Sequence, residues 1–321
     1  MKDLNLGKED DSVAEIIGAI LLFAIAITLV TAYLAWYVPV SQTSNEVAYS
    51  TGAYSSITDL GSMISSLDSN SPVVWSAHLG VAETFPIVPA SDTSVLVSNS
   101  SSFKYSLTYG LNLSMENSTG SHQYMNFSKI ITFSGYVSMG ANLQYIQGSD
   151  VMLADGMILQ LYRTLPPSVS GEVPFTVSGS TGSMNISTHL FGIEPPNAFA
   201  SATGSISVNF EPHKLSILNL GINSLTSING NITDLKAIRL STMNYSISSP
   251  YTSSIDLFLY RAYNNTVLNS TNIESLAKWN ITGEPFEISR YGNSLSIVQT
   301  GTPINLYSLA LSSFQLKAQI S

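Results

Sequence analysis

An α+β fold is predicted for this 321-residue chain. A long hydrophobic helix at the amino end is continued by an amphipathic helix, then by a mainly antiparallel β domain of sandwich or barrel-like type. Three observations lead there. Residues 16–37, IIGAILLFAIAITLVTAYLAWY, contain no charged residue and no Pro. At about 1.5 Å per residue, a helix of that length crosses a hydrocarbon core of about 30 Å. Over residues 41–69 apolar side chains recur at intervals of three, four or seven, and from Val73 onward the period is two.

Residues 1–12, MKDLNLGKEDDS, form a hydrophilic leader before the span. A secretory signal peptide has an apolar region of about 7–15 residues followed by a small-x-small cleavage site. This span is longer and runs into Ala35-Trp36-Tyr37-Val38-Pro39, so it is expected to be retained. Lys2 and Lys8 precede it, and the next basic residue is Lys104. That asymmetry places the amino end in the cytoplasm and the bulk of the chain outside.

Pro39 is expected to kink or interrupt the helix. Beyond it Val47, Tyr54, Ile57, Leu60, Ile64 and Leu67 form one apolar stripe, which should carry the β domain. Asp68-Ser69-Asn70-Ser71-Pro72 closes that helix, giving a helical segment over 13–69 and a β region over 70–321. Strands are expected at 103–115, 129–139, 157–163, 204–210, 238–248 and 254–263, where apolar and polar residues alternate between Gly, Asn, Ser and Pro clusters. Residues 272–279 read as a short capped helix, and 305–320 as a closing strand. A divide near 180–200, around SGSTGS and EPPN, is the alternative to a single β unit.

The composition excludes several classes. Only 10% of residues are charged and the net charge is −9, yet 16 Tyr and 12 Phe argue against disorder. The polar surface must come from Ser, Thr, Asn and Gln, whose hydration does not depend on pH. No Lys/Arg stripe exists for nucleic acid. The absence of Cys removes thiol chemistry and disulfide frameworks. His78, His122, His189 and His213 lack metal-ligand spacing, and neither a nucleophile elbow nor a phosphate loop is present. Asp150 and Asp155 read as hairpin-end residues rather than a calcium loop. No enzyme activity, cofactor or metal is expected. Tyr105, Tyr109, Tyr124, Tyr136 and Tyr145 are either core-edge residues or an outward contact surface. The acceptor pattern N-x-[ST] recurs at Asn99, Asn112, Asn117, Asn126, Asn185, Asn231, Asn244, Asn264, Asn269 and Asn280, all after the span, which fits an extracytoplasmic domain carrying N-glycans.

The segment Asp10-Asp11-Ser12-Val13-Ala14-Glu15-Ile16-Ile17-Gly18-Ala19-Ile20-Leu21-Leu22 resembles the amino terminus of archaeal type IV pilins. Those precursors carry an acidic pair, a small residue and then V-S-[PE]-V-I-G-x-I-L. Ala14 stands where Ser is usual, and Ser12 where Ala or Gly precedes the cut. The resemblance implies cleavage by a prepilin peptidase between Ser12 and Val13, on the cytoplasmic side, and assembly by a pilus machinery. It further implies that the membrane holds the subunit before assembly, that copies of the chain polymerise through the helix, and that the product is a cell-surface adhesive filament. Glu15 would then pair with a neighbour's freed amino terminus, and Gly18 would sit at a close helix contact. The alternative is a membrane-anchored, glycosylated surface-binding protein that never polymerises.

Overall fold

The computed structural model describes residues 7–67, 71–79, 93–116, 120–141, 143, 145–173, 175–180, 183–201, 204–228, 231–266, 286–299 and 303–320. It is an α+β fold: a long amino-terminal helix followed by predominantly antiparallel β structure. The predicted short helix at 272–279 lies outside the described residues.

Helix α1 spans Gly7–Ser65 with Pro39 inside it. The expected interruption at Pro39 does not occur. A proline removes a single backbone donor, and the turns around it are supported: residues 37–39 are half-buried, Gln42 is buried, and Thr43 Oγ1 donates to the Pro39 carbonyl at 2.7 Å. The carboxyl half of α1 buries Gln42, Glu46, Tyr49, Ala53, Ile57, Leu60 and Ile64, and Leu67 just beyond its end continues the spacing of three and four. The stripe is therefore the predicted one extended toward the span, except that Val47 faces outward.

The strands are β1 (Val73–Leu79), β2 (Thr93–Ser98), β3 (Lys104–Glu116), β4 (His122–Ser134), β5 (Tyr136–Ala141), β6 (Gly148–Ala154), β7 (Met157–Tyr162), β8 (Ser168–Gly171), β9 (Phe175–Ser180), β10 (Ser183–Glu194), β11 (Ala198–Ser201), β12 (Gly204–Gly221), β13 (Leu225–Ile228) and β14 (Asn231–Ser248); after helix α2 (Thr252–Thr266) come β15 (Phe286–Tyr291), β16 (Ser294–Gln299) and β17 (Ile304–Ile320). One sheet has six strands in the order β11-β2-β5-β6-β7-β8. The other has eleven, along β1-β12-β17-β14-β16-β15 with β3, β4, β9, β10 and β13 joined to that path. Among the described residues the pairings are antiparallel except β10 with β17. Strands from both sides of residues 180–200 pair within the larger sheet, as β1 does with β12 and β3 with β14.

Two cores result. The first encloses the carboxyl half of α1 with Trp75, Val95, Val137, Phe210 and Phe314, and Trp75 Nε1 donates to the Ser56 carbonyl at 3.0 Å. The second holds Tyr105, Leu107, Tyr245, Ile247, Ile297 and Leu306. Strand β6 serves both, with Val151 and Leu153 facing the helix core and Met152 and Ala154 the other. Burial on two faces explains its unbroken apolar run.

Two strand expectations are corrected. Residues 129–139 are not one strand: the chain breaks at Gly135 and passes from β4 in the larger sheet to β5 in the smaller. Gly135 has φ 110, and a Cβ there would lie 2.5 Å from the Ser98 carbonyl oxygen, so only glycine fits. Residues 254–263 are helical, within α2, rather than extended. Their apolar alternation concealed a four-residue period, in which Ile255 and Leu259 are buried against the second core while Leu257 is exposed. The missed signal was the turn at Ser249-Pro250: Ser249 Oγ accepts from the Tyr251 N–H at 3.1 Å, and the first backbone bond of the helix follows directly, from the Ile255 N–H to the Tyr251 carbonyl.

Candidate assembly surface

Helices form where apolar residues without breakers follow one another, and residues 16–37 do so on every face. The consequence is a helix with no inside: a dozen large apolar side chains from Ile16 to Trp36 stand 49–70% exposed. Fully burying each is worth about 1.5–3 kcal/mol. Even the exposed fraction sums to on the order of 10–20 kcal/mol, comparable with the whole stability of an ordinary domain. Lipid or protein must cover this surface. The helix is long and apolar enough to cross a membrane, with none of its most apolar stretch buried inside the chain. Thr28 Oγ1 donates to the Ala24 carbonyl at 2.7 Å, so that hydroxyl is satisfied within the helix. At the outer end Tyr33 and Tyr37 stack with centroids 5.3 Å apart beside exposed Trp36, an arrangement suited to a membrane interface.

Glu15 is exposed at the start of this surface. Gly18 is half-exposed, and a Cβ added to it would meet no atom within 4 Å. Any requirement for glycine there must come from outside the chain. Ser12 and Val13 lie within α1, but their side chains are outside the described residues.

The junction between this surface and the β domain rests on Glu46, a residue that sequence reasoning missed. Its side chain is fully buried, and Oε2 accepts from the Tyr145 N–H at 2.7 Å and the Ile146 N–H at 2.9 Å. Charge-assisted bonds of this kind are about twice as strong as neutral ones. They tie the β5–β6 loop to the helix where the apolar segment gives way to the head. Tyr49 adds a bond from its hydroxyl to the Gly140 carbonyl at 3.1 Å, and burial pushes the Tyr49 phenol up well beyond its ordinary range. The only sequence sign of Glu46 was its phase: it falls four residues after Gln42 and three before Tyr49, on the buried stripe.

A second buried carboxylate, Asp155, occupies the seam between the cores. With Gly156 it makes the β6–β7 turn, at φ 48 and φ 82, as the Asp-Gly pair demands. It is a hairpin end, as the sequence predicted, but a buried one. Oδ2 accepts from the Tyr245 hydroxyl at 2.7 Å and Oδ1 from the Phe191 N–H at 3.2 Å. Burial nonetheless raises the carboxyl to about 7, outweighing the two hydrogen bonds that pull it down. A cleft of about 510 Å³ opens beside the turn, lined in part by Glu172, Thr176 and His189. Among the described residues no group of three or more His, Asp or Glu is placed to hold a metal ion.

The sequons differ in surroundings. Asn112, Asn126 and Asn244 are exposed on the outward face of the larger sheet, with Asn112 directly opposite Asn126. Asn185 Oδ1 accepts from the Ser308 hydroxyl at 2.7 Å, and Asn99 accepts from the Ser134 hydroxyl. The side chains of Asn231 and Asn264, and Asn117, Asn269 and Asn280 altogether, lie outside the described residues. Of the tyrosines considered, Tyr105 and Tyr109 are core residues, Tyr136 packs at the edge of the second core, and Tyr124 and Tyr145 are exposed. Comparison of the chain with models of protein families, with curated protein sequences and with solved structures gave no match.

Proposed function

We propose that the chain is a structural subunit of an archaeal type IV-like surface filament, held in the membrane by its apolar helix before assembly and by copies of itself afterwards. The observation that carries this reading is the continuity of α1. One helix is apolar and largely exposed over residues 16–36 and locked into the head from Gln42 onward. A flexible tether would serve an anchor equally well. A rigid helix fixes each head relative to the helix surface that must be covered, and a regular array of copies needs that. The leader-like segment before Val13 supports the same reading through its resemblance to pilin precursors, with a prepilin peptidase as the processing partner and the outward sheet, with its exposed sequons, as the adhesive and glycosylated exterior.

Sheared cell-surface material imaged for filaments and sequenced from its amino terminus tests both parts. Filaments containing this chain, beginning at or within two residues of Val13, are expected. A mature protein that keeps Met1, or one that begins after Tyr37, overturns the reading. The membrane-anchored binding protein that does not polymerise predicts the same processed terminus with no filaments.

A further inference from the structure

We propose that the underside of the β domain is itself a lipid-contacting surface, with the β7–β8 loop at residues 163–167 and residues 145–147 beside it resting on the headgroups while the subunit is in the membrane. The inference rests on the reading that the span occupies a bilayer, and it assigns a role to the head that the span does not require.

The direction of the strands places these loops. Glu46 holds the backbone at 145–146, Ser50 lies 3.5 Å from Gln160 Nε2, Tyr54 bonds Ser170 at 2.8 Å, and Gly61 faces Leu153. Strand β6 therefore runs with α1, β7 runs against it, and both loops lie at the end from which the span leaves. From Gln160 the chain continues toward the span at about 3.3 Å per residue. The loop apex then stands about 10–13 Å below Ser50, level with helix residues in the low forties at about 1.5 Å per residue. The aromatic belt at Tyr33–Tyr37 is only about 8–10 Å farther on, and each headgroup layer is about 5–8 Å thick. The side chains at the apex span what remains.

Their chemistry suits that position. Leu165 is 58% exposed and Tyr145 41% exposed, although both are apolar or amphipathic and the head has cores to hide them in. Arg163 is exposed, and its guanidinium donates to the Leu143 carbonyl, bracing one loop on the other. In a chain of net charge −9, neither 142–147 nor 163–167 contains an acidic residue. An apolar tip, a tyrosine and one arginine form a composition suited to a segment seated among phospholipid headgroups.

The chain has no cysteine, so a single introduced thiol labels one site. The full chain is reconstituted in vesicles of neutral lipid containing about one-third anionic lipid. It is spin-labelled at Leu165→Cys, at Trp36→Cys in the belt, or at Glu172→Cys beyond the opposite end of β7. Collision rates with oxygen, which partitions into lipid, and with a water-soluble nickel chelate are then measured. The label at 165 is expected to match 36 rather than 172, with several-fold protection from the chelate. A label at 165 as exposed to chelate as that at 172, while 36 remains in lipid, overturns the inference and leaves the membrane reading standing. Exposure of both 165 and 36 overturns the two together. Protection at 165 from both reagents, with spin–spin broadening between chains, shows a second copy on this surface and also overturns it.

Discussion

Replacing Asp155 by Asn should abolish a pH dependence of stability that the wild-type fold carries into the neutral range. The folded carboxyl titrates at about 7, against an ordinary value of 3.8. Between those values the native state holds a proton that the unfolded state releases. The stabilisation is therefore complete below about pH 4 and is lost as pH rises through about 7. About three pH units at 1.36 kcal/mol each correspond to roughly 4 kcal/mol, or on the order of 10 °C in Tm for a chain of this size. Asp150, also raised by burial, contributes with the same sign. Asn keeps the shape and tolerates the positive φ of the turn, and its carbonyl still accepts from the Phe191 N–H. Thermal unfolding of both proteins from pH 4 to pH 8 is the assay. The wild type should lose stability across the range, while Asp155→Asn stays nearly flat and becomes the more stable at pH 8. A wild type whose Tm rises or stays level, or a variant that keeps the full slope, would refute the assignment.

Three further outcomes follow from the same geometry. Glu46→Ala leaves the Tyr145 and Ile146 N–H groups without their acceptor, which should cost about 1–3 kcal/mol in chemical denaturation, with Glu46→Gln recovering part of it. Gly18→Leu meets nothing within the chain, so insertion into membranes should be unchanged, whereas filament formation should fail if the helices pack closely there; normal filaments would show that Gly18 faces no tight contact. Glu15→Gln should be processed and inserted normally yet incorporate poorly in competition with wild type, and equal incorporation would remove the proposed pairing with a neighbour's amino terminus.

Much of this architecture was legible because two periods dominate the chain. The three-to-four spacing around Ile57, Leu60 and Ile64 identified the face of α1 that carries the head, and the alternation of 103–115 and 305–320 identified β3 and β17 almost residue for residue. What stayed hidden was set at a distance. The parallel pairing of β10 with β17 joins residues more than a hundred positions apart, and no local pattern encodes it. Gly135 reads as an ordinary strand glycine until the approach of Ser98 and Ile193 shows why the chain turns from one sheet to the other there. In α2, Ile255, Leu257 and Leu259 fit a period of two, while Ile255 and Leu259 alone fit one of four, and only the turn at Ser249-Pro250 before them separates the cases.

The burial of Glu46 and Asp155 was not legible for one shared reason. A carboxylate is assigned to the surface by default, because removing it from water is costly unless its hydrogen bonds are replaced. Each of these accepts two bonds, at least one from a backbone N–H in an element far away in sequence, so each joins parts of the fold that apolar packing alone leaves free to slide. Glu46 fixes the small sheet to α1 at the base of the head, and Asp155 fixes the same sheet to β10 and β14 at its top. The six-stranded sheet is thus pinned at both ends between the helix and the larger sheet by hydrogen bonds that add to the packing of the two cores. Loss of either carboxylate should loosen that connection before it unfolds the head. In a filament this would appear as variable head orientation around an intact helical core.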